Sequence, residues 1–89
     1  MNNLKNKPVS IGEAAKLTGV SLKQIRFWDE KGYIPSPERV KSGARSFRYF
    51  NERDLEILAR IKSYLDAGYT IQAAASKTKE EFNYSGDKK

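Results

Sequence analysis

Apolar residues recur at helical spacing in two short segments near the start of the chain, and a tight turn separates the segments. In the first segment Ile11 and Ala14 fall on one face of a helix, and Gly19 follows where the chain needs a left-handed residue. The second segment spans about residues 22–31, and Gly32 stops it. Two short helices joined in this way are typical of a helix-turn-helix.

Capping signals precede both segments. Ser10 and Glu13, and again Ser21 and Gln24, have the spacing of a capping box. In that motif the hydroxyl and the later side chain each satisfy a backbone N–H that the helix start leaves free. We therefore expect the two helices to begin directly after these serines.

The second helix has two different sides. Its mostly apolar side carries Leu22, Ile25 and Asp29, with Trp28 at the flank as an expected core residue. Its opposite side is mostly charged and carries Lys23, Arg26, Phe27 and Glu30. An aromatic ring among charged residues has no core to enter unless another segment covers it.

Residues 38–50 predict a two-stranded hairpin with its tip at residues 41–44. Alternation along the second strand puts Phe47 and Tyr49 on one side and Arg48 and Phe50 on the other, and we expect the ribbon to pack by its aromatic side with its arginines outward. After Glu38 the hairpin has four basic residues and no interleaved acid, namely Arg39, Lys41, Arg45 and Arg48. A basic hairpin beside a helix-turn-helix is a wing; the alternative is a surface hairpin with incidental arginines.

The remaining sequence predicts two more helices. Asn51 is a good N-cap for a third helix that runs to Ala67 and presents a core-facing apolar stripe at Leu55, Leu58, Ile61 and Leu65. Thr70 can cap a short fourth helix. The predicted fold class is mainly α, a winged helix-turn-helix with a small two-stranded β wing and two further helices. We expect residues 1–8 to be a flexible arm, 9–78 the domain and 79–89 a polar, disordered tail.

Composition adds a preference for polyanionic partners. The 89 residues suffice for one domain with a modest core and carry a formal net charge of +6. The basic residues concentrate between Lys23 and Arg48, which favours nucleic acid as a partner first and an anionic membrane surface second.

The chain contains no cysteine and no histidine. This excludes disulfides, thiolate metal sites, the commonest zinc ligands and the usual neutral-pH general base. We therefore predict no metal, no cofactor and no enzymatic activity. The start of the chain lacks the apolar run of a signal peptide, and no window approaches a membrane span, so we expect a cytoplasmic protein without a membrane partner.

Six short segments occur in an order known from one protein family. They are residues 10–21, 24–28, 32–35, 48–50, 54–55 and 67–70, which read SIGEAAKLTGVS, QIRFW, GYIP, RYF, DL and AGYT. Over about residues 9–76 they resemble the DNA-binding domain of the MerR family of bacterial transcription regulators. The resemblance implies a winged helix-turn-helix dimer that binds a palindromic promoter site, distorts the DNA and affects access by RNA polymerase. It also implies DNA contacts by Arg26 with its aromatic neighbour and by Arg39, Arg45 and Arg48 of the wing.

The chain departs from the family pattern in three respects. One is the wing, residues 43–51, which is a few residues longer than the commonest family pattern and resembles the nitrogen-regulator branch. Family members usually continue into a long coiled-coil helix and an effector domain, and neither follows Tyr84 in this sequence. The cysteines of the metal-sensing and redox-sensing branches are also absent. The chain is therefore either the N-terminal part of a longer regulator or one of the small stand-alone members.

The leading hypothesis is sequence-specific binding of double-stranded DNA, with the second helix in the major groove and the wing on the adjacent backbone or minor groove. We assign a phosphate contact to Ser21 and base reading to Lys23 and Arg26. Electrostatic affinity is assigned to the basic residues of the wing, Arg39, Lys41, Arg45 and Arg48.

Several alternatives stay open at this point. Gln24 either reads adenine or serves its capping box, and Phe27 either contacts DNA or packs under the following loop. The whole domain could instead coat or anchor DNA with little sequence choice, or use Phe27 and the wing on an acidic protein partner. A further partner is the protein itself, as a dimer or a head-to-tail assembly on DNA.

Overall fold

The computed structural model describes residues 8–35, 38–42 and 45–84, with side chains described at 8–35 and 49–84. Within these ranges the elements are β1 (Val9–Ser10), α1 (Ile11–Thr18), α2 (Leu22–Glu30), β2 (Glu38–Ser42), β3 (Arg45–Phe50), α3 (Glu52–Asp66) and α4 (Ile71–Phe82). The order is that of the predicted winged helix-turn-helix, which is confirmed.

The helix starts follow the predicted caps. The side chains of Ser10, Ser21, Asn51 and Thr70 each accept a hydrogen bond from the backbone N–H three residues on. At the other end of α1, Gly19 takes the left-handed conformation with φ of 80° and donates its N–H to the Ala15 carbonyl at 2.9 Å. The capping signals therefore fixed the first residue of all four helices in the described part of the chain.

A short strand that the sequence did not predict joins the wing. β1 pairs antiparallel with β3, with Val9 opposite Phe50 and Ser10 opposite Tyr49, and the described sheet has the order β1-β3-β2. Two residues are too few to show alternation, and the pairing depends on a strand far along the chain. Its consequence is that the base of the wing is hydrogen-bonded to the residues that open α1.

The core is built around α3, which packs against α1, β3 and α4, and α2 joins it by packing on α1. It contains Ala14, Val20, Ile25, Trp28, Ile34, Phe50, Ile57, Leu58, Ile61 and Ala74, all at most 2% exposed. The predicted stripe on α3 is confirmed, because Leu58 and Ile61 are buried and Leu55 and Leu65 pack partly buried against the same cluster.

The expected packing side of the second wing strand is wrong at Phe50. Strand alternation predicts that Phe50 lies on the outward side with Arg48, yet its side chain is 1% exposed, whereas Tyr49 is only half-buried. β3 is the middle strand and packs against α1 and α3, so its last residue enters the core directly before the Asn51 cap. The side chain of Phe47 lies outside the described residues.

Helix α4 extends beyond the domain boundary expected at residue 78. It continues to Phe82, and Asn83 ends it in a left-handed conformation with φ of 58°. The Arg53 guanidinium of α3 donates to the Phe82 carbonyl, and Arg60 forms an ion pair with Glu81 at 2.8 Å. The polar composition of this stretch masked its packing, and residues 79–84 belong to the folded unit.

Candidate nucleic-acid interface

A complete capping box opens α2. The Gln24 N–H donates to Ser21 Oγ at 3.1 Å, and the Ser21 N–H donates to Gln24 Oε1 at 3.3 Å. Bidentate reading of adenine would need the Gln24 amide oxygen as an acceptor, and that oxygen already accepts from the Ser21 N–H and hydroxyl. Of the two roles open for Gln24, the capping role is therefore the one that this structure contains.

The two sides of α2 have opposite environments, as the sequence predicts. Ile25 and Trp28 are 0% and 2% exposed, and Asp29 beside them is 1% exposed. The other side is exposed along its whole length and comprises Lys23, Arg26, Phe27 and Glu30, which we call the recognition face. Because one side is held by the core, the recognition face has a fixed orientation relative to the rest of the domain.

Phe27 has one of the two roles that the sequence left open, since it packs against the loop that follows α2, and its contact with DNA stays a prediction. Its ring meets the ring of Tyr33 edge to face, with centroids 6.4 Å apart and planes at 68°, and the Lys31 ammonium lies 5.6 Å from the same ring. The side chain nevertheless remains 45% exposed. Phe27 therefore packs against the following loop and still presents a surface to solvent.

The loop after α2 is fixed by backbone hydrogen bonds. Gly32, with φ of 77°, donates to the Asp29 carbonyl at 3.1 Å, and Tyr33 donates to the Trp28 carbonyl at 2.9 Å. Ile34 then enters the core at 2% exposure. Sequence reasoning missed the support that Tyr33 gives to Phe27; the only signal was an aromatic residue directly after the glycine that stops α2.

The backbone of the wing places its basic positions on two paired strands. The register sets Arg39 opposite Arg48 and Ser42 opposite Arg45, with Lys41 opposite Ser46. The side chains of Arg39, Lys41, Arg45 and Arg48 lie outside the described residues, so their predicted contacts stay predictions.

Other kinds of site find no support in the part of the chain that the structure describes. No group of three or more Asp, Glu, His or Cys side chains there is arranged to hold a metal ion. No described helix has both the length and the apolar composition needed to cross a bilayer.

A capped second helix with an exposed basic face, packed on the first helix and followed by a β-hairpin, defines a winged helix-turn-helix protein. Comparison with known families narrows this class. The model of the MerR HTH family regulatory proteins matches residues 9–81, and the chain belongs to this family.

Curated relatives agree with this assignment. The HTH-type transcriptional regulator HmrR of Sinorhizobium medicae is 34% identical over 64 residues, which are 72% of this chain and 42% of HmrR. A probable heavy metal-dependent transcriptional regulator of Haemophilus influenzae is 39% identical over 67 residues, or 75% of this chain and 50% of that protein. The transcriptional repressor CarH of Myxococcus xanthus is 34% identical over 65 residues, or 73% of this chain and 21% of CarH. The chain thus spans half or less of the length of these relatives.

Proposed function

We propose that this chain is the DNA-binding part of a transcriptional regulator and binds double-stranded DNA sequence-specifically, with α2 in the major groove. The observation that carries the proposal is the contrast between the two sides of α2. Ile25 and Trp28 are buried in the core, whereas Lys23, Arg26 and Phe27 are exposed. A helix held from behind by the core presents a fixed set of side chains to base edges. Membership of the family over residues 9–81 supports the same function.

Each part of the interface has its own contribution. Lys23 and Arg26 read base edges, and the amides at the start of α2 by Ser21 meet a phosphate. Phe27 packs against sugar or base methyl groups beside them.

The wing lies on the adjacent backbone or minor groove and supplies electrostatic affinity through its four basic residues. The register supports this role, since it sets Arg39 directly opposite Arg48. Like charges at opposed positions destabilise a strand pair. A neighbouring phosphate backbone offsets that repulsion.

We also propose where the protein acts and which partners it has. The protein acts in the bacterial cytoplasm, where the chromosome lies, and binds without catalysing a reaction. On its operator it assembles with a second copy, and its effect on transcription passes through RNA polymerase.

Selection of bound duplexes from a random DNA pool tests the function. We expect one short motif to be enriched, with a dissociation constant that is at least about a thousandfold lower than for unrelated DNA. Inverted copies of the motif indicate a two-fold pair, and direct repeats indicate head-to-tail loading.

Two results would overturn the proposal. Extended, cooperative footprints on unrelated DNA with no enriched motif indicate an architectural protein. No binding at low salt by a protein whose circular dichroism shows it folded indicates a protein-interaction module.

A further inference from the structure

The end of α4 is turned back toward the loop that follows α2. Asn83 adopts the left-handed conformation, and both Asn83 and Tyr84 donate their N–H groups to the Lys79 carbonyl. Asparagine tolerates this conformation better than most residues with a side chain. The turn brings Tyr84 to the loop, where its hydroxyl donates to the Tyr33 carbonyl at 2.8 Å across 51 positions of sequence.

Tyr33 is therefore held from two sides. Its N–H donates to the Trp28 carbonyl at the end of α2, and its carbonyl accepts from Tyr84 beyond α4. With the backbone of Tyr33 fixed in this way, its ring has a fixed base from which it meets Phe27.

Phe27 depends on this contact more than a core residue would. Its ring is 45% exposed, and the contacts of the ring include the Tyr33 edge and the Lys31 ammonium. An exposed aromatic side chain that loses its packing partner gains rotamers, and binding then has to restrict them again.

We propose that Tyr84 is a positioning residue for DNA recognition, which holds Phe27 on the recognition face by fixing the backbone of Tyr33. The inference rests on the proposed function, because it assigns to the end of α4 an effect on the surface that meets DNA. Burial of the Tyr84 hydroxyl, which raises its pKa to about 12, fits a group that keeps its proton and donates it.

The test compares two variants that each lose one hydroxyl and no charge. Tyr84→Phe removes the bond to Tyr33 and keeps the ring, whereas Tyr64→Phe removes a bond between α3 and the Glu81 carboxylate of α4. Dissociation constants for the selected duplex are measured by fluorescence anisotropy at a temperature where all variants are folded. We expect Y84F to bind about 2- to 10-fold more weakly, the range of one lost hydrogen bond, and Y64F to bind like the parent chain.

A double-mutant cycle with Phe27→Ala separates positioning from general stability. If Tyr84 acts through Phe27, Y84F has no effect on affinity in the F27A background. An equal loss with and without Phe27, or a loss in Y64F as large as in Y84F, would overturn the inference.

A second measurement does not depend on DNA. In the free protein, NMR signals of the Phe27 ring should shift and broaden in Y84F and stay unchanged in Y64F. Unchanged Phe27 signals in Y84F contradict the inference even when the parent binds DNA as proposed. Conversely, a parent chain that selects no duplex contradicts the proposed function, and the NMR comparison then decides the positioning role alone.

Discussion

At the scale of single residues, we assign two different DNA contacts to Arg26 and Arg45. Arg26 contacts a base edge, whereas Arg45 contacts the phosphate backbone. Arg26 lies on the recognition face of α2, and Arg45 opens the second strand of the wing. We expect Arg26→Ala to weaken binding to the preferred duplex by about 1–3 kcal/mol and to relax the preference at one base pair. We expect Arg45→Ala to weaken binding to all duplexes alike and to reduce the slope of log K against log salt by about 0.9.

Arg60→Ala is the matched control for both variants, since it removes one positive charge that pairs with Glu81 between α3 and α4. The measurement is the affinity of each variant for the preferred duplex and for duplexes with single base changes. Each affinity is measured over a series of salt concentrations. An R26A protein that discriminates bases as the parent does would refute its assignment.

Tyr84 also makes a prediction about pH. Burial raises the pKa of its hydroxyl from 10.0 to about 12, against the opposing effect of the Arg53 charge. Below pH 10 both the folded and the unfolded chain keep the proton, so the contribution to stability is constant. Between about pH 10 and 12 the unfolded chain releases the proton first, and the free energy of unfolding falls as the pH rises.

The comparison of parent and Tyr84→Phe isolates this group from the other tyrosines and the lysines. We expect the stability difference between the two proteins, measured by urea unfolding, to stay constant up to about pH 10 and to shrink above it. A difference that stays level through pH 12 would show that the Tyr84 hydroxyl is not buried in solution.

At the scale of elements, the connection of α1 to α2 depends on one backbone conformation. Gly19 has φ of 80°, and a Cβ built there would lie 3.3 Å from Lys62 Cε. We expect Gly19→Ala to lower the free energy of unfolding by about 1–2 kcal/mol, because the left-handed conformation is unfavourable for alanine.

Gly12→Ala is the matched control, because Gly12 lies inside α1 and a Cβ there meets nothing within 4 Å. Alanine is favoured over glycine in a helix, so this variant should be more stable than the parent by up to about 1 kcal/mol. Thermal unfolding of both variants checks the pair, and a loss of stability in G12A as large as in G19A would contradict the argument.

The elements differ in how far the sequence predicted them, and the difference has a physical cause. Helix boundaries are encoded locally. The caps at Ser21 and Asn51 and the glycine after α1 were therefore sufficient to predict where α2 and α3 begin and where α1 ends. Strand β1 depends on pairing with β3, and the end of α4 is stabilised by Arg53 and Tyr33, both distant in sequence. The buried and exposed sides of α2 could be predicted from periodicity. The contact between the rings of Phe27 and Tyr33 could not, because it depends on how the loop after α2 folds back.

At the scale of the whole molecule, the last turn of α4 connects distant parts of a small domain. Glu81 pairs with Arg60 at 2.8 Å, the Phe82 carbonyl accepts from Arg53, and Tyr84 reaches the loop after α2. Phe82 and Tyr84 also pack partly buried against the core. A domain of this size has only about 5–10 kcal/mol of stability, so these contacts are a substantial part of it.

Truncation should therefore lower the free energy of unfolding strongly when the chain ends at Thr78 but not when it ends at Tyr84. A chain that ends at Thr78 loses the contacts of Glu81, Phe82 and Tyr84. We expect its free energy of unfolding to fall by about 3 kcal/mol or more, because two aromatic side chains no longer cover the core. A chain that ends at Tyr84 keeps all of these contacts and serves as the control. Urea unfolding of both chains gives the comparison, and equal stability would mean that the domain boundary lies at residue 78 after all. A stable shorter chain would also leave Tyr33 without its distant partner, so its DNA affinity would report on the same contact by an independent route.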